Sequence, residues 1–282
     1  MRGTGCREEP EERASRHWSF DDIRSRVSRA LPDDASLTSD LRHYSPGRQD
    51  QGDTESCVAH AIVKAMEIKR VVKVWNEGVE TGLSDEEALK SALAAHVDLS
   101  RLVIYYLARE LMDPPETQMD DGTYIALGAD IPRRYGVCPE ADWPFEPQML
   151  FTAPPWRAMR KAYAHKIAAF HRIFSTGHER VDDVILNLAA DNPVVYRTPV
   201  GDSWEKYGPE SDVLGLDPHA VGAHATVLVG WQPDLWGGVF IGENSWGQGW
   251  GDGGFYFLSP EAVASPKTGD FTVITGGWEN WS

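Results

Sequence analysis

The strongest constraint on the fold is a change of period halfway along the chain. Between residues 57 and 136 apolar residues recur at helical spacing; beyond about 165 they come in short runs broken by Gly, Asp and Pro. Val58, Ala61, Ile62, Ala65, Met66, Ile68, Val71, Val72 and Trp75 give one broad apolar face to a helix that opens at Cys57 and is stopped by Gly78 and Gly82. A second helix starts at Ser84, where Glu87 three residues on completes a capping box. Residues 100–113 read as a third helix, ended by Pro114 and Pro115, and 123–136 as a fourth with Pro132 near its end. After a Pro-rich passage (144–155) and a basic stretch (157–166), KIAAFHRIF reads as a strand and VDDVILNLAADN as a short helix. Residues 193–200, 224–232, 238–246 and 253–259 read as further strands. Helices first and strands later predict an α+β protein of two lobes, helical over about 50–145 and β-rich over about 165–275, with a site between them. Upstream, residues 1–16 read as charged and flexible, 19–31 as an amphipathic helix capped by Ser19, and 31–46 as a loop with a short extended piece at 40–44.

Composition matters chiefly for what it excludes. With 27 basic against 43 acidic residues the net charge is −16, which disfavours nucleic acid and anionic membranes as partners. No apolar run is long enough for a membrane span, and MRGTGCREEPEERASRHW has no apolar stretch of the kind a secretory signal needs. Three cysteines are too few, and odd in number, for a disulfide framework, so reduced thiols and a cytoplasmic setting are expected.

One of those thiols stands out. QGDTESCVAHA places Cys57 at the mouth of the long helix, where unpaired N–H groups and the positive end of the helix dipole favour a thiolate. A small buried hydrophobe would suit the same position, and position alone leaves both readings open. A thiolate nucleophile also needs a base, a group that orients the base, and an oxyanion donor. The chain offers His224 at the start of an apolar strand, Asn244 followed by Ser245, Trp246 and Gly247, and Gln51 six residues before Cys57.

In order along the chain, these pieces resemble the papain-like cysteine peptidases: Gln-Gly, then Ser-Cys opening a helix, a His-Ala strand, Asn-Ser-Trp-Gly and Gly-Trp-Gly. The likeness covers roughly residues 40–260, and DLRHYSPGRQDQG, YGVCPEADWPF and GWGDGGFYFL look most like the bacterial branch of that family. It implies a two-lobed papain-like fold, a helical lobe and a barrel-like β lobe, within residues 40–282, preceded by an extension of residues 1–39. It implies peptide-bond hydrolysis of a peptide or protein substrate through a Cys57 thioester, with His224 as base and then acid, from a resting thiolate–imidazolium pair. Asn244 would orient His224, the Gln51 amide and the Cys57 N–H would form the oxyanion hole, and Trp246 would shield the His224–Asn244 bond. No metal or organic cofactor is implied. His219 is the rival base, but Gly230 and Trp231, six and seven residues after His224, fit the family register, whereas the same offsets from His219 do not. His60, one turn beyond Cys57, reads as a packing residue.

Two other readings use the same residues: a transamidase or ligase in which an amine outcompetes water, and a catalytically silent binding module, against which the intact triad argues. The chain also departs from the family pattern. Glu55 stands where Gly is common, Val58 where Trp is common, Glu243 where a basic residue is common, and Thr54 where secreted members carry a disulfide cysteine. Gly122 and Thr123 fall where the cleft wall is expected. The 19–31 helix is expected to dock on the body, cover the cleft or bind a partner, and the N-terminal segment as a whole to dock on the domain or on a protein partner. Cys138 reads as structural, and Cys6 as a thiol whose oxidation is without consequence.

Overall fold

The computed structural model describes residues 2–14, 17–31 and 37–277. Its axis is the helix Cys57–Glu80, whose first four turns are buried almost completely and whose last turns emerge into solvent. The apolar face read from the sequence is therefore wider than one stripe at its start, where the helix is covered on every side. The capping box forms as read: Ser84 Oγ accepts from the Glu87 amide, the Glu87 carboxylate accepts from the Ser84 amide, and the helix Asp85–Ala94 follows. Helices Arg101–Glu110 and Ile125–Arg134 pack against the long helix, the latter carrying Pro132 in its final turn. A helix at Trp156–Ala162 lies where the sequence shows only basic residues, because its buried residues, Ala158 and Ala162, are too small to write an amphipathic signature.

The β half is a single antiparallel sheet. Its strands are β1 (Ser39–Asp40), β2 (Ala169–Arg172), β3 (Val194–Val200), β4 (Gly222–Gln232), β5 (Val239–Glu243), β6 (Phe255–Leu258) and β7 (Gly269–Thr275), in the order β2-β7-β3-β4-β5-β6 with β1 on β4. Strand β7 was not anticipated from the sequence. Its long-range pairing with β2 and β3 closes the order of the sheet. Both faces of the sheet are covered, which explains the continuous apolar runs. Val195, Ala225, Val227, Val229 and Ile241 join the core shared with the helical lobe, while their alternates Val194, Tyr196, Leu228 and Phe240 join a second core. The helix Asp21–Arg29 docks Phe20, Ile23 and Val27 into that second core, with Arg24 against Asp183 of the helix Gly177–Ala189.

Two readings of the upstream chain are corrected. Residues 2–14, expected to be flexible, are seated on the body: the buried Glu9 pairs with Arg172 and His17, and Arg7 with Glu116. Their charges, read as a mark of disorder, are met by opposite charges brought together only by the fold. Residues 42–44 form a 3-10 turn in place of the extended piece, which is confined to β1. Of the predicted loop at 31–46, residues 32–36 lie outside the described residues. Among the described residues no helix is long and apolar enough to cross a membrane.

Candidate active site

The site is built from the first turn of the long helix, the start of β4 and the turn after β5. Register brings the last two together. Val227 pairs with Glu243, so Asn244, one step on, falls opposite Thr226 and diagonal to His224 on the same face. His224 Nε2 and Asn244 Oδ1 are 2.7 Å apart. The Asn244 oxygen is assigned independently, because it also accepts from the Ser245 amide at 2.8 Å, a bond only an acceptor can make. It follows that Nε2 carries the proton and that Nδ1 is the basic nitrogen of the neutral ring. Nδ1 is buried and makes no hydrogen bond among the described residues.

Cys57 is the first residue of its helix, and its Sγ accepts from the amide of Ala225, the residue after His224, at 3.4 Å. Thiol and imidazole are thus held by adjacent elements of the two halves, across 167 residues of sequence. Gln51 is fixed at three points: its amide donates to Ser245 O at 2.8 Å, its Oε1 accepts from Ser245 Oγ at 2.6 Å, and its Nε2 donates to Thr54 O at 2.7 Å. Nε2 also donates to the carbonyl of Gly3 at 3.0 Å, so a peptide group from the N-terminal segment sits on this donor.

That segment crosses the whole site. Gly5 O accepts from the Thr123 amide at 2.9 Å, the Arg7 amide donates to Thr123 O at 3.0 Å, and the Cys6 amide donates to Ala223 O at 3.2 Å. The Thr4 amide donates to the Glu55 carboxylate at 2.6 Å. Glycine is required where backbones meet: a Cβ on Gly3 would lie 1.8 Å from Thr54 O, and one on Gly5 would lie 2.3 Å from Glu55 O. Cys6, read as an inconsequential thiol in a flexible tail, is instead buried in this interface.

Comparisons with known proteins identify the family. A family model described as papain family cysteine protease matches residues 123–265, just over half of the chain. The chain belongs to the papain family of cysteine proteases. It is a cysteine-type peptidase, acting on peptide or protein substrates. The match includes His224, Asn244 and Trp246, whereas Cys57 and Gln51 lie before it. A peptidase C1-like protein of Acanthamoeba polyphaga mimivirus, itself uncharacterized, is 28% identical over 234 residues, 80% of this chain and 68% of that protein. Xylellain, a cysteine protease from Xylella fastidiosa, superposes with a TM-score of 0.74 at 24% identity, covering 98% of this chain and 97% of its own. Procathepsin B S9 from Trypanosoma congolense gives 0.66 at 14% identity, covering 98% of this chain and 87% of its own. These likenesses establish the papain-like fold.

The electrostatics of the peptidase site differ from the resting ion pair expected from sequence. With the N-terminal segment in place Cys57 and His224 are both fully buried. Burial pushes the thiol up to about 12, with the Glu55 charge adding and the Ala225 amide opposing. Burial pushes His224 down to about 4, against the Asn244 hydrogen bond. Desolvation penalises both charged forms of the covered pair.

Tryptophan forms one wall. Trp246 lies 5.0 Å from the His224 ring, and Trp204 meets His224 edge-on at 6.2 Å and stacks on Trp250. Trp204 was missed from sequence. It sits on a four-residue helix, Asp202–Glu205, with no periodicity to mark it, and only the packing of Trp250 and Tyr256 brings it to the histidine. His219 is exposed in a loop, with its amide on Asp217, and is no part of the site. His60 is buried edge-on against Phe145, with its Nδ1 at the Ser56 carbonyl, and burial first holds it down to about 3. Cys138 lies in the core.

Behind Cys57 the long helix carries a buried ionic cluster. Lys64 Nζ donates to Gly47 O at 2.7 Å and lies 3.4 Å from Glu243 and 3.6 Å from Glu67. Glu243, the residue before Asn244, also meets Arg48 at 3.3 Å. The acid that replaces the family's usual base at 243 is thus matched by a lysine on the Cys57 helix. Glu67, His96 and Asp98 bring ligand atoms within 4.8 Å of one another, but the Glu67 oxygens are already engaged by the Leu99 amide and Gln49.

Proposed function

We propose that Cys57 is the nucleophile of this peptidase, that His224 is its base and acid, and that residues 2–9 hold the full chain latent. The observation that carries the reading is the hydrogen-bonded pair His224–Asn244, whose ring is held beside the strand amide that contacts Cys57 Sγ. With Nε2–H given to Asn244, Nδ1 is the nitrogen that takes the thiol proton. The thiolate then attacks the substrate carbonyl, and negative charge develops on its oxygen. The Gln51 Nε2–H and the Cys57 amide at the helix N-terminus are the donors for that oxygen. Imidazolium returns the proton to the leaving amine, leaving a Cys57 thioester. Water, deprotonated by the same nitrogen, hydrolyses the thioester and restores the thiol. Trp246 and Trp204 keep water from the His224–Asn244 bond.

Latency follows from the same atoms. The Gly3 carbonyl occupies the Gln51 donor, and residues 4–7 take the Glu55 carboxylate and the Thr123 and Ala223 backbone groups that an extended peptide would use. Burial of the pair disfavours the thiolate. We place the catalytic unit in residues 40–282, with 1–39 as its extension, and the protein in a reducing, cytoplasmic setting.

The test is labelling by a peptide epoxide, read by intact mass, on three full-length chains: wild type, Cys57→Ala, and Gly3→Val/Gly5→Val. The valines cannot fit against the Thr54 and Glu55 backbone, so they expel the segment without removing any of the chain. One adduct, faster in the valine variant by tenfold or more and lost with Cys57→Ala, is the expected result. An adduct that survives Cys57→Ala overturns the nucleophile assignment. Equal rates in wild type and the valine variant overturn latency.

A further inference from the structure

The stretch of the segment that lies in the cleft, residues 2–7, is basic at both ends, and the walls that receive those ends are acidic. Arg2 reaches the Asp50 carboxylate and the Trp246 carbonyl. Arg7 makes a two-point contact with the Glu116 carboxylate, donates to the Asp121 carbonyl at 2.8 Å, and has the Asp121 carboxylate at 4.0 Å. Between these seats the Glu55 carboxylate takes the Thr4 amide, and Asp120 takes the amide of Glu55 itself. Among the described residues Asp50, Glu116 and Asp121 have ion-pair partners only in Arg2 and Arg7. Once the segment leaves, the peptidase therefore presents two groups of unneutralised carboxylates flanking the stretch that touches Gln51, Glu55 and Ala223. Every acceptor in those groups suits a guanidinium or ammonium, and Glu116 is set for the planar fork of arginine.

We propose that the opened cleft selects peptide substrates carrying arginine or lysine on both sides of a core of small residues, seated at Asp50 with the Trp246 carbonyl and at Glu116 with Asp121. The proposal rests on the cleft being vacated as described above, and it names the substrate class. The small core follows from the close approach of the seated segment to the wall, where a Cβ on Gly3 would lie 1.8 Å from Thr54 O and one on Gly5 2.3 Å from Glu55 O. A neutral peptide leaves the carboxylates as they are, and an acidic one adds repulsion at both ends.

The experiment uses full-length Gly3→Val/Gly5→Val protein and two quenched peptides. One has Arg at both ends of a four-residue Gly/Ala core, and the other has Gln there. Their binding to the same protein carrying Cys57→Ala is followed by fluorescence anisotropy. The Arg peptide is expected to bind, and to be cleaved in kcat/KM terms, about 5- to 30-fold better at low salt. That ratio should shrink as salt is raised, and it should collapse towards one in Glu116→Gln/Asp121→Asn. Equal binding of the two peptides, or a preference untouched by salt and by the acidic substitutions, overturns the proposal. Anisotropy does not need turnover, so failure to label Cys57 refutes the nucleophile assignment without touching this result. Labelling without charge preference refutes only the substrate class.

Discussion

Replacing Lys64 by methionine tests whether the buried ionic cluster joins the two halves of the site. Lys64, Glu67 and Glu243 are each at most 3% exposed, and the lysine is the cation between the carboxylates. Methionine fills similar volume and removes the charge. Leaving a buried charge without its partner costs about 3–5 kcal/mol. The lower end applies here for two reasons. Glu243 retains Arg48, and burial raises Glu67 to about 8, so that its carboxyl is largely protonated at pH 7. About 3 kcal/mol of destabilisation corresponds to a fall in Tm of about 6–12 °C for a chain of this size. Urea unfolding at pH 7 measures the same quantity through its midpoint. Since Glu243 directly precedes Asn244, kcat of the opened peptidase should fall as well. Lys64→Met/Glu67→Gln replaces the carboxyl, which unfolding would ionise, by an amide of the same shape and leaves the Arg48–Glu243 pair intact, so it should recover more than half of the loss. A loss below about 1 kcal/mol in the single variant, or a double variant no more stable than the single, would refute the cluster as the link between the helix and the strand end.

Other substitutions probe the pair and its burial. Asn244→Ala strips the acceptor from a buried imidazole N–H at a cost of about 1–3 kcal/mol, so kcat of the opened peptidase should drop about 10- to 100-fold while one epoxide still adds per chain; an unchanged kcat would remove Asn244 from the mechanism. In acid, stability should decline through the histidines. His60, His96 and His224 are held down to about 3, 4 and 4, in each case first by burial, whereas unfolded histidine titrates near 6.5. Unfolding then takes up protons, and stability present above pH 6.5 is lost as pH falls through the lowered values. The urea midpoint should drop between pH 7 and pH 4.5, and drop less in His60→Gln; equal slopes for the two chains would refute that burial. In alkali the sign reverses at Glu67. Its raised carboxyl contributes stability below about 4.5 that is lost as pH rises through about 8, so Glu67→Gln should gain on wild type between pH 6 and pH 9. A constant difference between them would show that Glu67 keeps the same charge when folded as when unfolded.

Much of this was legible in the order of residues. The helical half and the β half were separable because side-chain period is a local property, set at 3.6 by the Cys57 helix and read in runs such as HATVLVGWQ. The Ser84–Glu87 box was legible for the same reason: both partners lie within one turn. Cys57, His224, Asn244 and Gln51 were candidates because each stands in a short pattern that its chemistry explains. What brought them together was not local. The Val227–Glu243 register puts Asn244 diagonal to His224, and the Ala225 amide meets a thiol from the other half of the chain. Trp204 carried no pattern of its own, since long-range packing alone gives it partners, whereas the β-forming run at 271–275 between Gly269 and Gly276 was a local strand signal left unread. The N-terminal segment shows the division most clearly. From its charges it read as solvated and flexible, because a sequence does not state where opposite charges will be. Folding gathers Asp50 from one loop and Glu116 and Asp121 from another around one cleft. There Arg2 and Arg7 find them, with Gly3 and Gly5 between as the residues small enough for the backbone to enter.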